Sequence, residues 1–440
     1  MNKFTKTSFF YSLIRNYASF LIGRWFSKIE VNGNARIPEN EAVIFAPNHQ
    51  NAFIDAMALL STVPEPVVFW VRADIFQNKW IGKILRFLKL MPAYRMRNGY
   101  NNLKKNEESF KNSMDVLTNK QYLCLMPEGG QEEERRLRPL VKGIFRNAFA
   151  AQELMPEKEW VKIVPVGIDY GNYDKSGRHL IINYGKPISI KDYYELYKEK
   201  PAEAMNQIKE NLHARIKDLM LDIQSKKYYS TFYSASYVYN YPMLEILRLE
   251  DNITNRLIAR QKIINILHTA ETANEPLLDE LEKECTHWNN RYKETDLCAQ
   301  TQEWDSWDMN LITQILYLVI TFPLFLYSVI FNLIPFIVCK LAGKKVRGSG
   351  FEASVKFGLA AVLFPLVYIA LILLFAINKS PDTMTTFVFA LSLPISFLFF
   401  LRYRWKFAYV KERLRNIFRK PIEGDKIILI MQQIISKYHN

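Results

Sequence analysis

Three stretches of this chain hold residue types that could do chemistry together. In "APNHQNAFIDAMALL" (residues 46–60), His49 follows a strand-like run and Asp55 opens a helix-like one. On one regular helix, six positions amount to about 600°, which would point the two side chains about 120° apart. A loop that folds back removes that obstacle. A carboxylate on one ring nitrogen fixes the tautomer and leaves the other nitrogen to take a proton. The pair is also compatible with a plain helix-start acid favoured by the dipole and an unrelated loop histidine. In "LMPEGGQEEERRLRPLVKG" (125–143), Glu128 precedes Gly129 and Gly130. Paired glycines let the backbone turn sharply and approach a ligand closely. Arg135, Arg136, Arg138 and Lys142 follow, although a solvated hairpin turn would use the glycines as well. In "MPAYRMRNG" (91–99), Arg95 and Arg97 share one side if the piece is extended. Two forked guanidiniums there could clamp a phosphate or meet lipid headgroups at a membrane surface.

Residues of this kind need a scaffold. "AVIFA" (42–46), "VVFWVR" (67–72), "YLCLMP" (122–127), "VKIVPVGIDY" (161–170) and "LIINYG" (180–185) read as strands. Helix-like stretches follow at 55–61, 76–89, 101–119, 142–153 and 192–223. This alternation predicts an α/β fold with a central, mostly parallel sheet flanked by helices over residues 29–225. In such sheets chemistry gathers at the carboxyl ends of strands, where all three stretches fall. Residues 226–308 begin tyrosine-rich and continue as polar and amphipathic helices, a helical region with packing as its expected role.

Taken together, the order His-x5-Asp, Tyr-x-x-Arg, Pro-Glu-Gly and then "IVPVGIDY" resembles the glycerolipid acyltransferase family over roughly residues 25–225. The five-residue spacing and Glu128-Gly129-Gly130 resemble the subgroup of glycerol-3-phosphate-type acyltransferases, whereas most of the family has a spacing of four and Glu-Gly-Thr. The resemblance implies the acyltransferase fold. It also implies that His49 is the general base, oriented by Asp55, for a glycerol hydroxyl attacking an acyl thioester. Arg97, with Arg95, would bind the acceptor phosphate. Glu128, Gly129 and Gly130 would help bind the acceptor and shape the site, and Pro165 would line the acyl region. The implied co-substrate is acyl-CoA or acyl carrier protein, and the implied acceptor is glycerol-3-phosphate or 1-acylglycerol-3-phosphate. No metal or other cofactor is expected, because a thioester is already activated and proton removal is the main task. Two alternatives are an acceptor that is another lysolipid or an amino-acid-derived lipid, and a lipid-binding protein with a relic enzyme fold. The chain has no Gly-x-Ser-x-Gly elbow, which disfavours a serine hydrolase.

The net charge of +14 has an address. Residues 1–28, 339–356 and 402–420 carry +5, +4 and +7, so the remainder is slightly acidic. The basic surplus flanks apolar segments, which points to anionic lipid and away from nucleic acid. Residues 309–339, 357–378 and 383–401 hold no charge, and about 20 such residues cross a bilayer core. Basic flanks around 357–377 and 384–401 predict a hairpin of two crossings with both ends cytoplasmic, followed by a basic cytoplasmic tail over 402–440. For 311–338 a re-entrant helix–turn–helix is expected, which Pro323 and Pro335 can break, with a third crossing against the charge rule as the alternative. The catalytic domain is then expected on the cytoplasmic face of a membrane. Residues 1–28 predict an interfacial amphipathic anchor, since Phe9, Phe10, Leu13, Ile14, Tyr17, Phe20 and Leu21 recur at helical spacing. Cys124, Cys285, Cys298 and Cys339 are scattered, with no metal-ligand or disulfide framework.

Overall fold

A computed structural model of the chain describes residues 4–94, 101–132, 134–295, 310–379, 382–418 and 424–438. It divides into two compact units. One comprises Met1–Ile22, Ile29–Asp169 and Leu180–Asp222, and the other Gly23–Lys28, Tyr170–His179 and Ile223–Asn440.

The first unit is built from helix α1 (Phe9–Trp25), strands β1 (Lys28–Asn32) and β2 (Val43–Pro47), and helix α2 (Ala52–Thr62). Then come β3 (Val67–Arg72), α3 (Lys79–Phe87), β4 (Leu90–Ala93), α4 (Asn101–Thr118) and β5 (Tyr122–Cys124). The unit continues with α5 (Gly143–Gln152), β6 (Lys162–Tyr170), β7 (His179–Tyr184), β8 (Ile188–Ser189), α6 (Lys191–Glu199) and α7 (Pro201–Lys217). The sheet order is β1-β7-β6-β2-β5-β3-β4, with β8 antiparallel to β6. Strands β6, β2, β5, β3 and β4 run parallel. Every residue of β2 is buried, as expected for a central strand covered on both faces. Alternate side chains on one face, Ile44, Ala46, Val68, Leu123 and Ile163, pack with Phe145 and Phe149 of α5 and Leu212 of α7. On the other face Phe45 meets Tyr122 and Tyr184, and Thr62 of α2 hydrogen-bonds the Tyr184 hydroxyl at 2.7 Å.

The α/β expectation matches this sheet. Strands β1, β4 and β8 lie outside the expected strand runs, since β1 interleaves charged residues, β4 contains Pro92 and β8 has two residues, and the helix expected over 192–223 is divided at Lys200–Pro201. Helix α1 is more than a separate anchor. Arg15 donates to the carbonyls of Val63 and Pro64, and Lys89 Nζ donates to those of Phe4 at 2.5 Å and Lys6 at 3.0 Å. Its outward face keeps Phe9, Phe10, Leu13 and Phe20 exposed.

The second unit holds α8 (Tyr229–Val238), α9 (Asn240–Leu247), α10 (Ile253–Thr272) and α11 (Leu277–Thr295). These are followed by α12 (Leu311–Ile320), α13 (Phe322–Lys345), α14 (Glu352–Lys379), α15 (Thr383–Phe418) and α16 (Asp425–Tyr438). The tyrosine-rich stretch packs: Arg260 of α10 lies over the Tyr233 and Tyr237 rings at 5.3 and 4.2 Å. Among the described residues three helices are long and apolar enough to cross a bilayer, Phe322–Lys345, Glu352–Asn378 and Thr383–Lys411, which mark a membrane protein. Helix α15 runs on past residue 401 to Phe418, so the apolar stretch passes into the basic one within a single helix. The two breaks expected in 311–338 are corrected. The chain breaks at Thr321, with Pro323 in the first turn of α13, where its missing N–H costs nothing. Pro335 stays inside α13.

A proline inside a helix bends it. The rings of Phe325 and Phe336 both lie on Phe400 of α15, at 6.0 and 5.5 Å. Eleven residues of straight helix would separate those two rings by about 16 Å. Between them, Phe331 reaches Phe389, 5.7 Å away by ring centroids, on an earlier part of α15. The Phe325 and Phe336 contacts with α15 thus lie after Pro394, inside that helix, and the Phe331 contact before it. Asn332 sits near the bend, with Nδ2 donating to the Ser328 carbonyl at 2.7 Å and to Ser396 Oγ at 3.0 Å.

Candidate active site

The site grows from the end of β2. Pro47 has no N–H, and the backbone ladder to β6 ends one residue later, with the Asn48 N–H donating to the Val166 carbonyl at 3.2 Å. Asn48 takes over with its side chain, accepting from Ile168 N at 2.6 Å and donating to Ile168 O at 3.0 Å on β6. The chain can then leave the sheet while staying pinned to it. His49, Gln50 and Asn51 form a tight loop that enters α2 through Ala52, whose φ of 43° is a left-handed conformation uncommon for a residue with a side chain.

Asp55 in the first turn of α2 closes this loop. Its fully buried carboxylate accepts through Oδ2 from Gln50 N at 3.0 Å and Asn51 N at 2.8 Å, and meets His49 Nδ1 at 2.9 Å. The fold-back geometry is thus the one formed, and the 120° obstacle of a continuous helix does not arise. An ionised carboxylate only accepts, so Nδ1 carries the proton and Nε2 is left as the basic nitrogen. The His49 side chain is 17% exposed while that of Asp55 is 1% exposed, which puts the ring at the edge of the site and its partner inside.

Glu128 fixes the loop from the other side. Strand β5 lies next to β2, with Phe45 opposite Cys124, and this pairing brings residue 128 to residue 49. Glu128 Oε1 accepts from His49 N at 2.7 Å, and Oε2 accepts from Arg138 N and Nε, both at 3.1 Å. Burial pushes the Glu128 carboxyl above its ordinary 4.5, and the His49 and Arg138 contacts pull it back down. Gly129 has φ 68°, and a Cβ there would come within 3.0 Å of Val141. The Gly130 carbonyl accepts from Arg138 Nη2. The glycines therefore wrap the turn around Arg138.

Sequence reasoning missed two of these residues. Arg138 is one of four basic residues after the glycines. Of the others, Arg135 is buried against Asp169 and Arg136 pairs with Glu134 at 3.1 Å. Asn48 carried a usable signal, a side-chain amide directly after a strand-ending proline, where it can replace a backbone pair. Pro165 is buried in β6, in register with Ala46 and packed on Gly185. His49, Asp55, Glu128, Gly129 and Gly130 are brought together, whereas Arg95 and Arg97 lie outside the described residues.

This arrangement can take a proton from a hydroxyl at one oriented imidazole. The family model described as Acyltransferase matches residues 28–169. Glycerol-3-phosphate O-acyltransferase 2 of Saccharomyces cerevisiae is 31% identical over 104 residues, which are 23% of this chain and 14% of that protein. 1-acyl-sn-glycerol-3-phosphate acyltransferase of Bacillus subtilis is 25% identical over 194 residues, 43% of this chain and 87% of that protein. Among solved structures, the 1-acyl-sn-glycerophosphate (LPA) acyltransferase PlsC of Thermotoga maritima aligns with a TM-score of 0.36 and 16% identity, covering 48% of this chain and 78% of that one. With the His49–Asp55 pair and Glu128 inside the matched span, residues 28–169 of this chain are an acyltransferase-family domain.

Proposed function

We propose that the protein is a membrane-bound O-acyltransferase. It moves a fatty acyl group from acyl-CoA or acyl carrier protein to a hydroxyl of glycerol-3-phosphate or 1-acylglycerol-3-phosphate. The observation that carries this reading is the contact between Asp55 Oδ2 and His49 Nδ1 at 2.9 Å, which leaves Nε2 as the nitrogen that can take a proton. His49 Nε2 takes the hydroxyl proton as the oxygen attacks the thioester carbonyl. The new C–O bond forms, the C–S bond breaks, and the imidazolium returns its proton to the departing thiolate. Asp55 and Glu128 are positioning residues. Arg95 and Arg97 would hold the acceptor phosphate, and Pro165 would line the acyl path.

The catalytic domain is assigned to the cytoplasmic face, where such thioesters are made. Supporting this side are the basic flanks of α14 and α15, since cationic loops stay cytoplasmic.

The test supplies membranes bearing wild type, His49→Ala or Asp55→Asn with an acyl donor and labelled glycerol-3-phosphate or 1-acylglycerol-3-phosphate. General-base removal costs on the order of 10²–10⁴ in turnover. His49→Ala should fall by that much. Asp55→Asn should lower kcat with a smaller change in KM for the acceptor. Wild-type product from the His49→Ala membranes would remove His49 from the chemistry. Turnover by wild type of neither phosphate acceptor, but of a lysolipid lacking a glycerol phosphate, would overturn the acceptor assignment.

A further inference from the structure

Helix α3 buries the wrong side for a surface helix in water. The residue it buries is Gly82, whose Cα lies so close to the Phe76 carbonyl that a Cβ would come within 3.3 Å. Its other side carries Trp80, Ile81, Ile84 and Phe87, exposed by 76, 49, 58 and 43%. At 100° per residue these four fall within one arc of about 120°. Lys79, Lys83 and Arg86 form an adjoining basic stripe, and residues 79–89 contain no acid. Lys83 lies over the Trp80 ring at 5.0 Å, and Ile75 just before the helix is also exposed. Apolar patches of this kind on a soluble surface mark an interaction site. The pattern of an aromatic-tipped apolar face bordered by lysine and arginine suits the headgroup–acyl boundary of an anionic bilayer.

This patch is joined to a second one. Immediately after α3, Lys89 donates to the carbonyls of Phe4 and Lys6 and lies 5.2 Å from the Tyr11 ring centroid. That ties the end of α3 to the start of α1, whose outward face exposes Phe9, Phe10 and Leu13.

We infer that α3 is a second interfacial helix, which inserts Trp80, Ile81, Ile84 and Phe87 into a bilayer surface carrying anionic lipid. Together with α1 it makes a two-helix lipid-contact surface on the catalytic unit. The inference rests on the exposed face and not on the reaction assigned above.

The full chain tests this. Bimane is attached to Ile84→Cys, or to Glu195→Cys on α6 as an exposed polar control, each with Cys298→Ser; the other three cysteines are buried. The protein is reconstituted into phosphatidylcholine–phosphatidylglycerol vesicles. Bimane at position 84 should emit at shorter wavelength than at 195, lose intensity to brominated acyl chains, and resist aqueous iodide. Position 195 should show the reverse. The acyl-chain quenching at 84 should weaken in pure phosphatidylcholine, and in the lipid mixture when Lys79, Lys83 and Arg86 are changed to Gln. Iodide quenching at 84 equal to that at 195 would place α3 in water. Shielding from both quenchers would mean that protein, a second copy or another partner, covers it. Equal acyl-chain quenching with and without phosphatidylglycerol would remove the anionic-lipid requirement. Each of these three results overturns the inference. Acyltransferase turnover is measured in the same vesicles, so loss of the reaction and loss of lipid contact are read separately.

Discussion

Glu128 is expected to act through the loop that carries His49. Both its oxygens are used inside the protein, one on His49 N and the other on Arg138 N and Nε. Glu128→Gln replaces one acceptor oxygen by a donor and must leave either His49 N–H or the Arg138 donors facing an amide NH₂. Leaving a buried donor unsatisfied costs about 1–3 kcal/mol. The expected result is a protein that still inserts into membranes but loses about ten- to a hundredfold in kcat, since 1.4 kcal/mol is a factor of ten. Arg138→Ala should reproduce part of that loss. Wild-type kcat in Glu128→Gln would show that the loop holds His49 without it. The types and order of His49, Asp55 and Glu128 were readable from the sequence. The contacts that join them to Arg138 and across the sheet were not. Glu128 stands 79 positions from His49, and Asn48 stands 120 positions from Ile168. They meet only because β2 lies between β5 and β6, an order that periodicity does not encode.

At the scale of elements, the sequence shows that a helix has two faces, and packing shows which one turns inward. Residues 76–89 read as a helix, yet nothing in the spacing says that Gly82 faces the domain and Trp80 faces out. Helix α1 poses the same problem, and Lys89 settles its placement. Burial draws the Lys89 ammonium down to about 8 from its ordinary 10.5. Between those values the open, solvated tether binds a proton that the closed one does not, so closure is favoured as pH rises from about 8 to 10.5. The neutral amine keeps two N–H groups, enough for both the Phe4 and Lys6 carbonyls. Hydrogen exchange at residues 4–11, corrected for intrinsic rates, should therefore report an opening free energy that increases across that window. Lys89→Met should flatten the pH dependence and raise exchange throughout, because two carbonyls lose their donor. A tether that weakens with pH in wild type would contradict this reading of Lys89.

For the whole molecule, the three uncharged runs announced a membrane protein, but length alone does not count crossings. Helix α13 has the length of a spanning helix but holds Pro335, and both Phe325 and Phe336 lie against Phe400, with Arg404 3.9 Å from the Phe336 ring centroid. Independent support comes from the ends of the membrane region. Lys437 and Tyr438 of α16 hold Glu275 at 3.1 and 2.9 Å, and Lys426 approaches Glu284 of α11 at 3.5 Å. Residues before and after the membrane segments are thus in contact, and the chain between them must cross an even number of times. With α14 and α15 as the expected two-crossing hairpin, α12 and α13 are expected to enter and leave by one face, which also keeps the basic 339–356 loop cytoplasmic. Single cysteines at Asn274, Ser349, Gln432 and Met384, in a Cys298→Ser background, separate the two topologies in sealed vesicles. With re-entry, positions 274, 349 and 432 react with an impermeant maleimide from one side and 384 from the other. With three crossings, 349 and 432 react from the side opposite to 274, and the α16–α11 contacts could not form in a membrane.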